Sequence, residues 1–179
     1  MKTRNILLTG IMALALLFSS CGGGQKKQND KEVTIAMVNW VECIANAHLC
    51  KVVLEEKGYS VDLINADVGP VFTAIAKGDA DVFMEVWEPI THKAYLEKFG
   101  HQLEKVGEVY EEGLLALVVP EYVTISSIDE LNSVKDKFKG KITGIDPGAG
   151  IMSVTAKLID EYGLDYELVP SSEACLVLA

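Results

Sequence analysis

The sequence predicts an α/β protein of two lobes, the second of them incomplete. Short runs rich in valine, isoleucine and leucine alternate with longer amphipathic runs, which is the order of βαβ units around a mostly parallel sheet. After Pro120 the alternation starts again, but this second set has fewer strands and no closing element. We therefore expect lobe 1 at residues 33–117 and a truncated lobe 2 at residues 118–179.

The first 32 residues precede the fold and predict export. Lys2 and Arg4 are followed by an apolar run at residues 6–18, which is too short to span a bilayer as a stable helix. We interpret residues 1–20 as a signal peptide and the polar, glycine-rich residues 21–32 as a flexible tether.

Cys21 follows the apolar run and two small residues, Ser19 and Ser20. This arrangement resembles the lipobox of bacterial lipoproteins, although Phe18 stands where that pattern usually has leucine. The resemblance implies cleavage before Cys21, a lipid on its thiol, and an exported protein anchored to a bacterial membrane. The alternative is an ordinary secretory signal with a free cysteine.

Lobe 1 is predicted to contain four strands and three helices, from composition, alternation and glycine stops. The longest helix ends at Gly58, and we expect its apolar stripe to consist of Ile44, Ala45, Leu49, Val52 and Val53. The predicted strands are residues 33–38, 60–66, 81–86 and 113–120, and the predicted helices are residues 41–57, residues 71–77 and a segment through Tyr95 and Leu96 that ends at Gly100.

The first predicted helix of lobe 2 starts at Ser126 and Ser127, whose hydroxyls suit a helix start, and it contains Leu131. The remaining predicted elements are a strand at residues 141–146, a glycine-rich turn at 147–150, a helix at 151–162, a strand at 166–169 and a helix that opens at 171 and continues to Ala179.

Two tryptophans, Trp40 and Trp87, hold matching positions just after predicted strands of lobe 1. The carboxyl ends of parallel strands meet at one edge of a sheet, so both indoles are able to reach one crevice. Tryptophan faces attract cations, and they suit quaternary ammonium groups because such groups have no N–H to offer an oxygen acceptor. Core packing is the alternative for each ring, and the paired placement favours a ligand role.

Two further features near these positions suit a small anionic group. In the turn Asp146-Pro147-Gly148-Ala149-Gly150, glycines let backbone amides point outwards at a helix start, which favours a carboxylate or phosphate. A plain tight turn is the alternative. His92 follows Trp87 by five residues and is a candidate ligand residue, although a lone histidine is usually structural or solvated.

Neither charge nor side-chain chemistry indicates an enzyme or a nucleic-acid-binding protein. The formal net charge of −10 disfavours nucleic acid and anionic membrane surfaces as partners. Glu85 and Glu88 flank Trp87, but strand alternation points them in different directions, so they do not form an acid–base pair. We find no nucleophile with a base and no metal-binding spacing, and we expect no cofactor.

Four motifs resemble the glycine betaine-binding proteins of bacterial ABC importers. They are NWVE at residues 39–42, EVWEPITHK at 85–93, LVVPEYV at 117–123 and TGIDPGAGIM at 143–152, within a resemblance that runs from about residue 33 to the end of the chain. The resemblance implies a type II periplasmic-binding-protein fold, a Venus flytrap of two α/β lobes with the ligand between them. It also implies a membrane permease as partner and uptake of an osmoprotectant as the role.

The resemblance implies a role for each motif residue that matches. Trp40 and Trp87 are two walls of a cage for the trimethylammonium group. His92 donates a hydrogen bond to the ligand carboxylate, and the backbone N–H groups of Gly150 and Ile151 complete that site.

This chain departs from the family at its end, where the segment with a third cage tryptophan is absent. We therefore expect a truncated protein rather than a complete small one, with weak or no binding of glycine betaine. Choline, carnitine or proline betaine are alternative ligands. An enzyme on the same two-lobed scaffold and a non-functional fragment are alternatives of other classes.

Overall fold

The computed structural model describes residues 31–172, which form an α/β arrangement close to the predicted order. The predicted signal peptide, Cys21, the tether up to residue 30 and the helix beyond residue 172 lie outside the described residues. The elements are β1 Glu32–Met37, α1 Val41–Glu56, β2 Ser60–Asn65, α2 Val68–Lys77, β3 Val82–Phe83, α3 Lys93–Phe99, β4 Lys141–Thr143, α4 Gly150–Glu161 and β5 Glu167–Val169, with 3-10 helices at Gly100–Gln102 and Ile128–Phe138.

The first sheet is parallel, with strand order β2-β1-β3. Ile35 of β1 lies opposite Leu63 of β2 and Val82 of β3. Because all three strands run the same way, the segments that follow β1 and β3 leave from the same edge. Those two segments carry Trp40 and Trp87, so the predicted placement of both tryptophans at one sheet edge is confirmed.

One part of the core of the first sheet lies between its strands and helix α2, and another part, with Ile35 and Val61, lies against Ala47 of α1. Val68, Val71 and Phe72 recur at the i, i+3 and i+4 spacing of a helix face and are all buried. Burial of a side chain as large as Phe72 contributes about 2–3 kcal/mol. This packing fixes the sheet edge from which the two tryptophan-bearing segments depart.

The stripe predicted for α1 is wrong. Leu49, Val52 and Val53 are exposed. The face that packs against the sheet carries Cys43 and Ala47, which are buried. Helix α1 has apolar residues on most of its circumference, so their spacing does not single out the inner face.

The second sheet is a parallel pair of β4 and β5, with Ile142 opposite Leu168. The predicted helix start is confirmed at Ser127, which forms a capping box with Glu130. Leu131, Leu164 and Tyr166 are buried together beside this sheet. The division into lobes at residue 117 stays a prediction.

The strand predicted at residues 113–120 is wrong, and β3 is shorter than its predicted range. Leu114 and Val118 are each 89% exposed. A strand requires a neighbouring strand to complete its backbone hydrogen bonds, and within residues 31–172 no strand pairs with this segment.

The helices of the described residues are too short or too polar for a membrane span. Between residues 31 and 172, none combines the length and the apolar composition that crossing a bilayer requires.

Candidate functional site

The segment after β3 folds back on itself and brings Trp87 and His92 together. The backbone N–H of Trp87 donates to Nδ1 of His92 over 2.9 Å. The carbonyl of Trp87 accepts from the backbone N–H of His92 and from Oγ1 of Thr91, both over 3.0 Å. These three bonds set the spacing of the two predicted ligand residues.

His92 lies at the centre of an aromatic cluster and is 1% exposed. The Trp40 indole lies nearly parallel to its ring, with centroids 6.0 Å apart. Phe72 and Tyr95 meet the imidazole edge-on at centroid distances of 5.3 Å and 6.0 Å. Burial lowers the pKa of His92 to about 4, so the ring is neutral at pH 7. Since Nδ1 accepts a hydrogen bond, Nε2 carries the proton and is a donor.

Trp40 follows β1 and connects the two sheets. It is buried, and its Nε1–H donates to Oδ2 of Asp146 over 3.3 Å. Asp146 belongs to the turn after β4, so this bond joins the edge of the first sheet to the second. Its core position agrees with the alternative of core packing, yet its polar edge points at the turn that carries the predicted anion site.

Trp87 is half-buried and is held from two sides. Its Nε1–H donates to Oε1 of Glu85 over 2.9 Å. Its six-membered ring packs on Gly113, where an added Cβ would lie 2.6 Å from a ring carbon. The ring therefore has a defined orientation.

Glu85 is a buried carboxyl group, only 3% exposed, and its Oε2 atom has no hydrogen-bond partner. Burial raises the pKa of Glu85, the hydrogen bond from Trp87 opposes that shift, and the nearby charge of Glu42 adds to it. Glu88, in contrast, is exposed and pairs with Lys105 over 2.8 Å.

Helix α4 begins against the Trp87–His92 turn. Gly150 is buried, and a Cβ at this position would overlap the carbonyl of Thr91. The hydroxyl of Tyr95 donates to the carbonyl of Gly148 over 2.9 Å and supports the same approach. The first N–H groups of the helix, on Gly150 and Ile151, thus lie beside the turn that carries His92, at the end where partial positive charge accumulates.

A small cavity of about 30 Å³ lies between the two sheets. Trp40, Asp67, Asp146 and Gly148 are among its lining residues. A space of this size holds about two water molecules. The space between the segment around Trp40 and the turn at residues 146–149 is therefore smaller than a trimethylammonium group.

The five residues predicted to bind a ligand form one connected neighbourhood. Trp40 contacts His92 through its ring and Trp87 through its backbone N–H, and Gly150 packs on the residue before His92. Sequence reasoning missed four residues that support them. Two of these had a signal: Glu85 lies within the predicted strand at residues 81–86, two residues before Trp87, and Asp146 opens the glycine turn. Tyr95 and Gly113 had none.

The chain is similar to known proteins of one kind. Residues 31–177 match the substrate-binding domain of ABC-type glycine betaine transport systems. The chain is 26% identical over 113 residues to the glycine betaine/carnitine transport binding protein GbuC of Listeria monocytogenes, covering 63% of this chain and 38% of that protein.

Solved structures show the same fold. A glycine/betaine/L-proline-binding protein, ProX, from Borrelia burgdorferi is 40% identical, with a TM-score of 0.79 over 83% of this chain and 57% of that one. Lactococcal OpuAC, in its closed conformation with glycine betaine, is 30% identical, with a TM-score of 0.78 over 83% and 58%. The fold is that of type II periplasmic binding proteins, and this chain spans less than two thirds of the length of these relatives.

Proposed function

Because the chain belongs to the family of substrate-binding domains of ABC-type glycine betaine transport systems, we propose that it is an extracytoplasmic receptor for glycine betaine or a similar quaternary amine. In this role it passes the ligand to a membrane permease and performs no chemistry on it. The observation that carries the proposal is that His92 stacks on the Trp40 ring and accepts the backbone N–H of Trp87, next to the first N–H groups of α4.

The two indoles suit the cationic end of such a ligand. A tryptophan face attracts a cation by roughly 0.5–2 kcal/mol, more where water is excluded. A micromolar dissociation constant corresponds to about −8 kcal/mol. Two faces therefore supply at most about half of that free energy. The rest has to come from the carboxylate contacts and from further apolar contacts.

The carboxylate end has three donors available. The neutral His92 ring carries its proton on Nε2, and Gly150 and Ile151 contribute backbone N–H groups at a helix start. These donors favour glycine betaine, carnitine or proline betaine over choline, which has no carboxylate and would leave them unpaired.

We further propose that a signal peptide at residues 1–20 directs export of the protein and that a lipid on Cys21 anchors it to the membrane. The support is the sequence pattern there. Mass spectrometry of the protein from a bacterial membrane tests this: we expect a diacylglyceryl mass on wild type and none on Cys21→Ser.

Calorimetric titration of glycine betaine into the full chain tests the binding role. We expect a dissociation constant weaker than micromolar, and a loss of at least about tenfold in Trp87→Ala, because that change removes one cation–π face. Tyr122→Ala serves as the control, since Tyr122 is an exposed aromatic residue outside the site. Equal affinity of wild type and Trp87→Ala, with both folded by circular dichroism, would assign Trp87 to packing alone.

The same titration with choline separates the two ends of the ligand. We expect His92→Ala to lose more affinity for glycine betaine than for choline. Equal losses for both ligands would remove His92 from the carboxylate site.

A further inference from the structure

We propose that Glu85 is a positioning and specificity residue of the ligand site: it holds the Trp87 indole by its N–H edge, and its carboxylate charge makes the site prefer a cationic headgroup to a neutral group of the same shape. This inference rests on the proposed function and adds a residue that the family motifs do not assign.

The geometry of Glu85 leaves one oxygen without a partner. Oε1 accepts the Trp87 indole N–H, while Oε2 is buried and receives no hydrogen bond. Among residues 31–172, no lysine or arginine forms an ion pair with it. A buried carboxylate is stable only with hydrogen bonds or an opposite charge, and here neither is complete.

A second carboxylate near Glu85 increases this need for positive charge. Helix α1 places Glu42 close enough to raise the pKa of Glu85, while a hydrogen bond from the uncharged Asn46 side chain on the same helix lowers that pKa without supplying a charge. A cation bound on the Trp87 face would sit near two carboxylates and balance them. The ligand headgroup is therefore the missing opposite charge.

The hydrogen bond to Trp87 acts in the same direction. A carboxylate that accepts the indole N–H pushes electron density into the ring and makes its faces more negative. The attraction of a ring face for a cation depends on that negative potential. Glu85 thus strengthens the cation–π contact as well as fixing the ring that makes it.

Indole N–H signals of the ¹⁵N-tryptophan-labelled full chain test the positioning role without any ligand. The chain has two tryptophans, so two signals are expected, and Trp87→Phe assigns them. We expect Glu85→Gln and Glu85→Ala to move the Trp87 signal. Glu88→Gln is the matched control, because it removes the same charge one residue from Trp87 but at an exposed site, and we expect it to leave that signal in place. An unmoved signal in Glu85→Gln and Glu85→Ala would overturn the positioning role.

Affinity for two ligands of equal shape tests the specificity role. Glycine betaine and 3,3-dimethylbutanoate differ only in a cationic nitrogen against a neutral carbon, and both are titrated while the indole signals are followed. We expect Glu85→Gln to lower the preference for glycine betaine about tenfold, Glu88→Gln to leave it unchanged, and Glu85→Ala to weaken both ligands.

An unchanged preference in Glu85→Gln, with wild type binding glycine betaine, would overturn the specificity role and leave the receptor function intact. Wild type that binds neither ligand would instead overturn the receptor function, and with it the specificity role of Glu85.

Discussion

At the scale of single residues, His92 determines how the site is assembled. Its Nδ1 atom fixes the backbone of Trp87, and its ring lies along the Trp40 indole. A buried histidine is usually a core residue, and this one is fully enclosed. The same burial keeps the ring neutral, which leaves a single N–H on Nε2 as a donor. Core packing and ligand binding are therefore compatible roles for this side chain.

The lowered pKa of His92 makes the folded state sensitive to acid. The unfolded chain takes up this proton near pH 6.5, whereas the folded chain resists it until about pH 4, so the free energy of unfolding falls as pH falls through that window. From pH 7 to pH 5 we expect wild type to lose about 2 kcal/mol on this account, measured by urea unfolding.

The comparison that isolates this effect uses His92→Asn, whose side-chain oxygen still accepts from the backbone N–H of Trp87. We expect a smaller loss of stability between the two pH values in this variant. His48→Asn is the control, because His48 is exposed on α1, and it is expected to behave like wild type. A wild-type pH dependence in His92→Asn would assign the acid sensitivity to other groups.

At the scale of elements, the start of α4 depends on a position without a side chain. Gly150 brings the helix backbone against the carbonyl of Thr91. This approach places two N–H groups beside the turn that holds His92. The anion site predicted from the glycine turn thus depends on how closely the helix docks.

Gly150→Ala tests that docking. The added methyl group meets backbone atoms that have no room to retreat, so we expect the free energy of unfolding to fall by about 1–3 kcal/mol. Gly100→Ala is the control: it lies at helical φ with open space around it, and we expect little change or a small gain. Urea denaturation measures both, and equal stability of Gly150→Ala and wild type would contradict the close approach.

Local sequence patterns were sufficient to predict the elements whose own residues show a clear pattern. The parallel strands β1 and β2, helix α2 and the Ser127 cap follow from alternation, helical spacing and capping chemistry, and all are present. The segment at residues 113–120 has the composition of a buried strand but is a strand only where a neighbour pairs with it. A local run of valine and leucine does not determine whether another strand pairs with it.

The candidate site was likewise predictable where local sequence patterns mark it, and not where it depends on tertiary contacts. Strand ends located both tryptophans, and the glycine turn located the helix start. The support around them comes from long-range contacts, such as Gly113 against Trp87 and Tyr95 with Gly148, which no spacing along the chain encodes.

At the scale of the whole molecule, regular structure is concentrated on either side of a long irregular segment. Residues 103–127 contain no helix or strand, and several of their large apolar side chains are exposed. Exposed chain without backbone pairing opens readily and is the preferred place for proteolytic cleavage.

Limited digestion with chymotrypsin tests this description. We expect the first cuts at Tyr110, Leu114 or Tyr122, which are exposed within this segment, and none at Phe72, which is buried in α2. Mass spectrometry of the early fragments identifies the sites. First cuts inside α1 or α2 would show that the helices open before the irregular segment does.

Both tryptophans of the chain lie in the candidate site, and the sequence contains no third one. Tryptophan fluorescence excited at the red edge of the near-ultraviolet band therefore comes only from the candidate site. If that site captures a solute, a shift in emission wavelength on mixing gives the binding kinetics without an attached dye.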